Sequence, residues 1–513
     1  MQRLSTKQIH RVVIQLQQNI RLLSTTASAF KPRPTIVSQA EAVGHDHIKQ
    51  KPNLSQMSFP CLEKLEQRNK SLEENLENGP EPSYSKITRD KVEIYHSFDP
   101  IFLDYGGYLP EFEIAYETWG TLNEDRSNAI LLHTGLSASS HAHSTEKNPT
   151  RGWWEDYIGS GKYIDTEKYF VICTNVLGGC SGSTGPQSLD PLINQPYATT
   201  FPILSVNDMV RAQHRLISEH FGISKLHASM GSSMGGMQCL AYAQEFPDDV
   251  NKIISISGCA RSHPYSIAMR HCQRQVLMTD PNWNKGHYYG RLPPHTGMKL
   301  AREIATITYR SGPEWEQRFG VERADPSKKP ALCPDFLVET YLDHAGEKWC
   351  LEFDANSFLY ISKAMDLFDL GLNHKLKAEK SRQQSQRIYA GEDIPLTELE
   401  FIPTEVCEFD KPIKTKTTRR LTPEESKREL QEGLSNFSHK DILVIGVESD
   451  ILFPAWQQRE ISELLKAGAK ANGGDGRNIK HLELSQEDSF YGHDTFLLAV
   501  DKIGAPISKF LNN

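Results

Sequence analysis

A serine between glycines is the clearest candidate for covalent chemistry in this sequence. The run Gly231-Ser232-Ser233-Met234-Gly235-Gly236 follows the strand-like segment KLHASM and precedes the helix-like segment MQCLAYAQEF. A G-x-S-x-G turn between a strand and a helix strains the serine backbone and exposes its oxygen at the sheet edge. The flanking apolar runs favour this turn over a flexible Gly/Ser loop. We therefore predict Ser233 as a nucleophile, with the backbone N–H of Met234, at the positive end of the following helix, as a donor to an oxyanion.

A base and an orienting acid follow the serine in the order that such a turn requires. Asp450 lies just past the strand-like segment DILVIGV, and His493 lies beyond HLELS in the loop FYGHDTF. An aspartate in that place can accept the imidazole Nδ1–H and stabilise the imidazolium that forms when the histidine takes the serine proton. Ser233, Asp450 and His493 are therefore predicted as a catalytic triad.

The loop after the strand-like segment NAILLH is predicted to supply the second oxyanion donor. The backbone N–H of either Gly135 or Leu136 can do so, and the sequence leaves both open. His133, which ends that strand, is interpreted as a residue that shapes the loop rather than as a base.

Short β-branched runs alternate with helix-length segments from about Lys91 onward. Apolar strands separated by helices predict an α/β protein with a mostly parallel sheet and helices on both faces. Together with the G-x-S-x-G turn, this pattern is typical of the α/β-hydrolase fold. This alternation stops after Ser257 and returns with DILVIGV, which indicates an inserted helical lid that forms the substrate pocket. The expected organisation begins with a presequence (1–33) and a polar linker (34–90). The core of the fold is then expected in two parts (91–258 and 441–513), separated by the helical lid (259–374) and a charged, partly disordered insertion (375–440). The first part of that insertion is predicted to be poorly ordered.

The amino-terminal segment has the composition of a targeting sequence. The first 40 residues contain six Lys or Arg and no acidic residue, and they include the hydroxyl-rich stretch RLLSTTASAF. This composition is typical of a mitochondrial presequence and predicts import into the matrix. A basic tail without a targeting role is the alternative.

Composition excludes several classes of partner. A formal net charge of -8 provides no basic field for nucleic acid, and no apolar run reaches the roughly 18 residues of a membrane helix.

Nine cysteines without any C-x-x-C spacing are expected to be reduced thiols. No metal or cofactor is implied, and small-molecule substrates are the expected partners.

Several longer motifs in the sequence are similar to those of a known enzyme family. The sequence resembles the homoserine O-acetyltransferase group, and within it the serine O-acyltransferase branch, over roughly 99–370 and again from 441 to the end. The motifs that carry the resemblance are AYETWGTLN, LLHTGLSASSHA, NVLGGCSGSTGP, GSSMGGMQ, AREIATITYRS, ESDILFP and GHDTFL. The resemblance implies the same triad and a homodimer.

The family resemblance also assigns a clamp for the acceptor amino acid. Arg302, in AREIATITYRS, is similar to the arginine that holds the acceptor carboxylate, and Asp494 is similar to the acid that meets its ammonium group. Two other interpretations stay open from the residues themselves. Arg302 could form a salt bridge within the lid, and Asp494 could cap the helix that follows it.

Acceptor and donor specificity are predicted from two further places. The loop T-G-L-S-A-S-S, with Gly135, Leu136, Ser137 and Ala138, resembles the serine branch rather than the homoserine branch. Arg270, in IAMRHCQRQ, falls where succinyl-using members have an arginine that can pair with the distal carboxylate. A solvated helix residue is the alternative for Arg270. Its position favours succinyl-CoA over acetyl-CoA as the donor.

The predicted activity is therefore acyl transfer from succinyl-CoA or acetyl-CoA to the hydroxyl of L-serine through an acyl-Ser233 intermediate, producing O-acyl-L-serine for cysteine biosynthesis. Acyl-CoA is a co-substrate in this scheme. The alternatives are a homoserine O-acetyltransferase of methionine biosynthesis, a serine esterase with the same triad, and a catalytically inactive binding scaffold.

Overall fold

The structure is a computed structural model that describes residues 60–74, 91–401 and 420–513. The predicted presequence, most of the predicted linker and the stretch 402–419 lie outside the described residues. Within the described ranges, no helix combines the length and apolar character that a bilayer crossing requires.

An eight-stranded sheet forms the centre of the molecule. Its strands are β1 (Glu93–Ser97), β2 (Phe112–Trp119), β3 (Ala129–His133), β4 (Phe170–Thr174), β5 (Leu226–Ser232), β6 (Val250–Ile256), β7 (Asp441–Val447) and β8 (Ile479–Leu484). Their spatial order is β1-β2-β4-β3-β5-β6-β7-β8. The β1–β2 and β2–β4 pairs are antiparallel and all the other pairs are parallel. The predicted mostly parallel sheet is confirmed.

Helices cover both faces of the sheet because its central strands are apolar on both sides. In β3, Leu131 belongs to one buried cluster with Leu240, while its neighbour Ile130 belongs to another with Ile507. Alternate side chains of an extended strand point to opposite faces, so each cluster needs its own covering helices. These clusters make the sheet a rigid platform for the loops at its carboxyl edge.

The described residues contain thirteen α-helices, some of which are joined by short 3-10 turns. Their bounds are α1 (Pro60–Glu74), α2 (Val206–Arg215), α3 (Met234–Glu245), α4 (Pro264–Met278), α5 (His295–Tyr309), α6 (Gly312–Phe319), α7 (Leu337–Trp349), α8 (Ala355–Asp366), α9 (Leu372–Tyr389), α10 (Pro423–Leu434), α11 (Ala455–Ala471), α12 (Thr495–Leu498) and α13 (Val500–Leu511). Helix α2 continues as a π-helical turn, Leu216–His220. Three two-stranded pairs lie in loops: Ile101–Phe102 with Tyr108–Leu109, Ile158–Gly159 with Ile164–Asp165, and Leu189–Asp190 with Gln195–Pro196.

Helices α4 to α8 occupy the interval between β6 and β7, where the lid is predicted. Helix α5 packs on both α4 and α7, and α4 also packs on α8. Side chains from α4, α5, α7 and α8 line a cavity at the carboxyl edge of the sheet together with residues of the core. The inserted helices therefore form the roof of that cavity.

The prediction of poor order in the first part of the insertion is wrong. Helix α9 runs through that part, and it is attached to the core by polar contacts. Arg382 forms an ion pair with the fully buried Asp104, and Ser385 Oγ accepts the N–H of Gly107 at 3.1 Å. A polar composition predicts disorder here, but ion pairs and hydrogen bonds fix this helix where apolar burial would not.

Candidate active site

The backbone around Ser233 has the strained geometry predicted from the glycine spacing. Ser233 caps α3 with φ 58° and ψ -125°, and its N–H donates to Ile256 O at 2.9 Å. A Cβ at Gly235 would lie 2.4 Å from His133 O, and one at Gly231 would lie 2.6 Å from the Gly235 backbone. Only glycine fits at these two positions, so the chain can turn sharply from β5 into α3.

His493 and Asp450 form a buried hydrogen-bonded pair. The distance from His493 Nδ1 to Asp450 Oδ2 is 2.6 Å. The other carboxylate oxygen of Asp450 accepts the N–H groups of Leu452 at 2.9 Å and Phe453 at 2.8 Å. Because the carboxylate accepts the Nδ1–H, the tautomer consistent with this contact leaves Nε2 as a proton acceptor.

The surroundings of His493 favour its role as a base. Phe453 stacks on the ring at 5.1 Å and Phe496 contacts it edge-on at 5.4 Å. Burial lowers the pKa of His493, but the adjacent Asp450 carboxylate outweighs this effect and the net pKa is raised above 6.5. Within the described residues, His493 Nε2 has no hydrogen-bond partner. It is free to take a proton from a group in the cavity.

A cavity of about 350 Å³ brings most of the predicted residues together. The predicted residues that line it are Gly135, Leu136, Ser137, Ala138, Ser233, Arg270, Arg302, His493 and Asp494. Asp450 lies behind the imidazole, and Met234 follows Ser233 at the start of α3. The arrangement places the predicted nucleophile, the predicted base and four charged side chains, those of Arg270, Arg302, Arg310 and Asp494, around one cavity.

The loop predicted to complete the oxyanion hole is fixed to the core. Ser140 N–H donates to Asn175 Oδ1 at 2.8 Å, and Trp153 Nε1 donates to Ser139 O at 2.9 Å. These contacts hold the loop beside the turn at Ser233. The choice between the Gly135 and Leu136 N–H groups stays a prediction.

His133, at the end of β3, does not line the cavity. It is fully buried, and its Nε2 lies 2.8 Å from Ser229 Oγ in the neighbouring strand. Burial lowers the pKa of His133 to about 3, so the ring is neutral at physiological pH.

Arg302 is a cation without a carboxylate partner among the described residues. Its guanidinium carbon lies 5.2 Å from the ring centre of Tyr309 and 5.3 Å from that of Trp349. The alternative of a salt bridge within the lid is therefore wrong for the described part of the chain. Aromatic faces hold the guanidinium while its N–H donors remain available to a carboxylate in the cavity.

Asp494 contacts a second arginine instead of capping a helix. Its side chain makes no capping hydrogen bond to α12, so that alternative is wrong. Asp494 Oδ2 lies 3.4 Å from Arg310 Nη2. Burial raises the pKa of Asp494, and the positive charge of Arg310 offsets part of this rise.

Arg270 is buried rather than solvated, so the solvated-residue alternative is wrong. Its Nε lies 2.6 Å from Asp366 Oδ1, and its Nη2 donates to Ser262 Oγ at 2.7 Å. Arg274 contacts the other oxygen of Asp366. Two guanidinium groups share one carboxylate, so this group of three side chains, of which Arg270 lines the cavity, carries a net positive charge.

Sequence reasoning missed several cavity residues. Arg310 stands in the same motif as Arg302, eight positions later, and that proximity was a usable signal. Tyr341 and Trp349 come from α7, where nothing in the sequence distinguishes cavity aromatics from core aromatics. Their positions depend on how the lid helices pack.

Comparison with known proteins adds a family to this geometry. Residues 128–470 match the model of the alpha/beta hydrolase fold family. The structure of homoserine O-acetyltransferase from Bacillus anthracis is similar, with a TM-score of 0.63 and 25% identity over 82% of this chain and 98% of that one.

Two fungal relatives are much more similar in sequence. A serine O-succinyltransferase of Emericella nidulans is 59% identical over 89% of this chain and 88% of that protein. A serine O-succinyltransferase of Schizosaccharomyces pombe is 51% identical over 89% of this chain and 95% of that protein. These similarities show that the chain belongs to the serine O-succinyltransferase family of acyltransferases with the α/β-hydrolase fold.

Proposed function

We propose that this enzyme transfers the succinyl group of succinyl-CoA to the hydroxyl of L-serine, forming O-succinyl-L-serine and CoA. The observation that carries the proposal is the cavity, in which the predicted nucleophile and base face an arginine and an aspartate suited to the two charged ends of an amino acid. The names of the relatives at 51% and 59% identity support the same substrates.

The first half-reaction acylates the enzyme. His493 Nε2 takes the proton of Ser233 Oγ, and Oγ attacks the thioester carbonyl carbon. The resulting oxyanion receives hydrogen bonds from the backbone N–H of Met234 and of Gly135 or Leu136. The C–S bond then breaks, and the imidazolium returns the proton to the departing CoA sulfur.

The second half-reaction passes the acyl group to the acceptor. Arg302 binds the carboxylate of L-serine and Asp494 binds its ammonium group, which aims the hydroxyl at the acyl-Ser233 carbonyl. His493 takes the hydroxyl proton, the new ester bond forms, the bond to Ser233 Oγ breaks, and the proton returns to Ser233. A bound, oriented hydroxyl outcompetes water because its entropy of positioning has already been lost on binding.

The paired guanidinium groups at Asp366 support succinyl-CoA as the donor. A distal carboxylate that enters this end of the cavity meets a net positive charge, whereas an acetyl group offers nothing to neutralise it. Changing Arg270 to Met is expected to lower kcat/KM for succinyl-CoA about ten- to a hundredfold and to leave that for acetyl-CoA much less affected. Initial rates with each donor at saturating L-serine provide the measurement.

Arg274 offers a matched control for this prediction. It shares Asp366 with Arg270 but does not line the cavity. Arg274→Met therefore removes the same charge from the same pair while leaving the cavity wall in place. Equal changes in the donor ratio for both variants would contradict a direct role of Arg270.

Four substrate pairs test the proposed function as a whole. Purified enzyme is incubated with L-serine or L-homoserine and with succinyl-CoA or acetyl-CoA, and the products are identified by mass. We expect O-succinyl-L-serine as the main product, with the highest kcat/KM among the four pairs. Preferred O-acetylhomoserine would replace the proposal with the homoserine activity. Free succinate without acylated serine would favour the esterase, and no turnover with any pair would favour the scaffold.

The cellular setting is part of the same proposal. We infer a homodimer in the mitochondrial matrix that supplies O-succinyl-L-serine to cysteine biosynthesis. The basic, acid-free amino-terminal composition supports the location, and the family resemblance supports the dimer. Microscopy of a carboxyl-terminal fluorescent fusion and the mass of the purified protein in solution test the two statements.

A further inference from the structure

The lid contacts the loop that carries His493 through residues 309–311, at the junction of α5 and α6. Gly492, with φ 61°, lies so close to this segment that a Cβ there would be 2.9 Å from Ser311 N and 3.0 Å from Tyr309 O. Ser311 Oγ also donates to Phe490 O. The lid segment and the loop that carries His493 are therefore fixed against each other.

Arg310, in the middle of this segment, extends into the cavity. Its Nη2 lies 3.4 Å from Asp494 Oδ2, its Nη1 forms an ion pair with Glu314, and its guanidinium carbon lies 5.6 Å from the ring centre of Tyr341. Only 11% of the Arg310 side chain and 16% of the Asp494 side chain are exposed. The ion pair is thus largely shielded from solvent.

The charges around Asp494 show why it needs this partner. Four groups act on it: Arg310, His493 and Arg302 favour its ionised form, and Glu314 opposes it. In the proposed reaction, Arg302 binds the acceptor carboxylate, so its charge is paired with the substrate. His493 alternates between its charged and neutral forms. Arg310 is the one constant cation among these four groups that touches Asp494.

We propose that Arg310 is a positioning residue that keeps Asp494 ionised and aimed at the ammonium group of the acceptor amino acid. This inference rests on the proposed function and assigns different roles to the two arginines of AREIATITYRS. Arg302 contacts the substrate, whereas Arg310 acts through Asp494. Because Arg310 sits where the lid meets the histidine loop, acceptor binding depends on the lid being docked.

The proposal predicts an effect on the second half-reaction alone. Changing Arg310 to Met is expected to raise KM for L-serine about ten- to a hundredfold, while acylation of Ser233 by succinyl-CoA keeps its rate. Rapid mixing of enzyme with succinyl-CoA, followed by the mass of the intact protein, measures acylation. Adding L-serine to the isolated acyl-enzyme then measures transfer.

The pH profile provides a readout that a purely structural role would not move. Without Arg310 the pKa of Asp494 rises further, so the carboxylate is neutral over a wider acidic range. The acidic limb of kcat/KM for L-serine is expected to shift to higher pH in Arg310→Met. The acidic limb of kcat/KM for succinyl-CoA should stay where it is.

Two further variants distinguish a specific effect of Arg310 on acceptor binding from a general folding defect. Arg310→Lys keeps the charge and is expected to recover most of the affinity for L-serine. Arg310→Met combined with Glu314→Gln removes the Arg310–Glu314 ion pair without leaving the Glu314 carboxylate unpaired, and it is expected to show the same loss in KM for L-serine as Arg310→Met alone. Arg318→Met is the matched control. Arg318 Nη1 lies 3.8 Å from the same Glu314 carboxylate, and its guanidinium lies over the same Tyr341 ring. Its side chain, however, is 43% exposed and does not line the cavity.

The outcomes separate this inference from the proposed function. Normal acylation with impaired transfer in Arg310→Met, and normal values for both in Arg318→Met, would support it. Equal losses in both half-reactions, or an unchanged KM for L-serine, would overturn it while leaving the transferase activity intact. If the unmodified enzyme makes no O-succinyl-L-serine, the proposed function fails first and independently.

Discussion

Changing Ser233 to Ala is expected to abolish formation of the acyl-enzyme and to lower turnover by about four to six orders of magnitude. The side chain sits at the strained turn between β5 and α3 and lines the cavity, and the proposed reaction passes the acyl group through its oxygen. Alanine fits this backbone no worse than serine does. The loss should therefore appear in the chemistry and not in the stability of the fold.

Intact-protein mass after mixing with succinyl-CoA measures this loss directly. The unmodified enzyme should gain one succinyl group, and Ser233→Ala should gain none. Ser160→Ala, which removes an exposed hydroxyl from a distant loop, is the control and should behave like the unmodified enzyme. A succinyl adduct on the Ser233→Ala protein at another residue would refute the assignment of the nucleophile.

The parts of the site that are encoded locally could be predicted from the sequence. The turn at Ser233 depends on a few adjacent residues, because glycines must flank a serine between a strand and a helix. Asp450 and His493 could be placed because the carboxyl ends of parallel strands meet at one edge of a sheet. Strand order along the chain therefore specified which loops would converge.

The parts that depend on packing between distant segments could not be predicted. Helix α9 has a solvated composition, and it is held by contacts with residues far away in sequence, such as the ion pair of Arg382 with Asp104 and the hydrogen bond of Ser385 with Gly107. The shared carboxylate of Asp366 and the contact between Arg310 and Asp494 are of the same kind. Sequence patterns show which residues are charged, but they do not show which distant residue of opposite charge will form an ion pair with each of them.

Changing Asp450 to Asn is the second substitution with a very large expected effect. The Asn side chain has the same shape, and its oxygen can still accept the N–H groups of Leu452 and Phe453, so the fold should be retained. Its amide, however, presents a donor to His493 Nδ1 where the carboxylate presented an acceptor. The imidazole then carries its proton on Nε2 and cannot take one from Ser233. A fall in kcat of about ten-thousandfold follows, as in serine hydrolases altered in the same way.

The pH dependence of the remaining activity identifies the cause. In the unmodified enzyme, Asp450 holds the pKa of His493 above its ordinary value, so activity is lost as the pH falls through that raised pKa. In Asp450→Asn only the lowering effect of burial and the weaker effect of Asp494 remain, and the acidic limb of kcat should move to lower pH even as its plateau drops. Asp488→Asn, which alters an exposed ion pair with Lys502, should change neither quantity. An unshifted acidic limb in Asp450→Asn would mean that the group titrating in turnover is not His493, and the base would have to be sought elsewhere in the cavity.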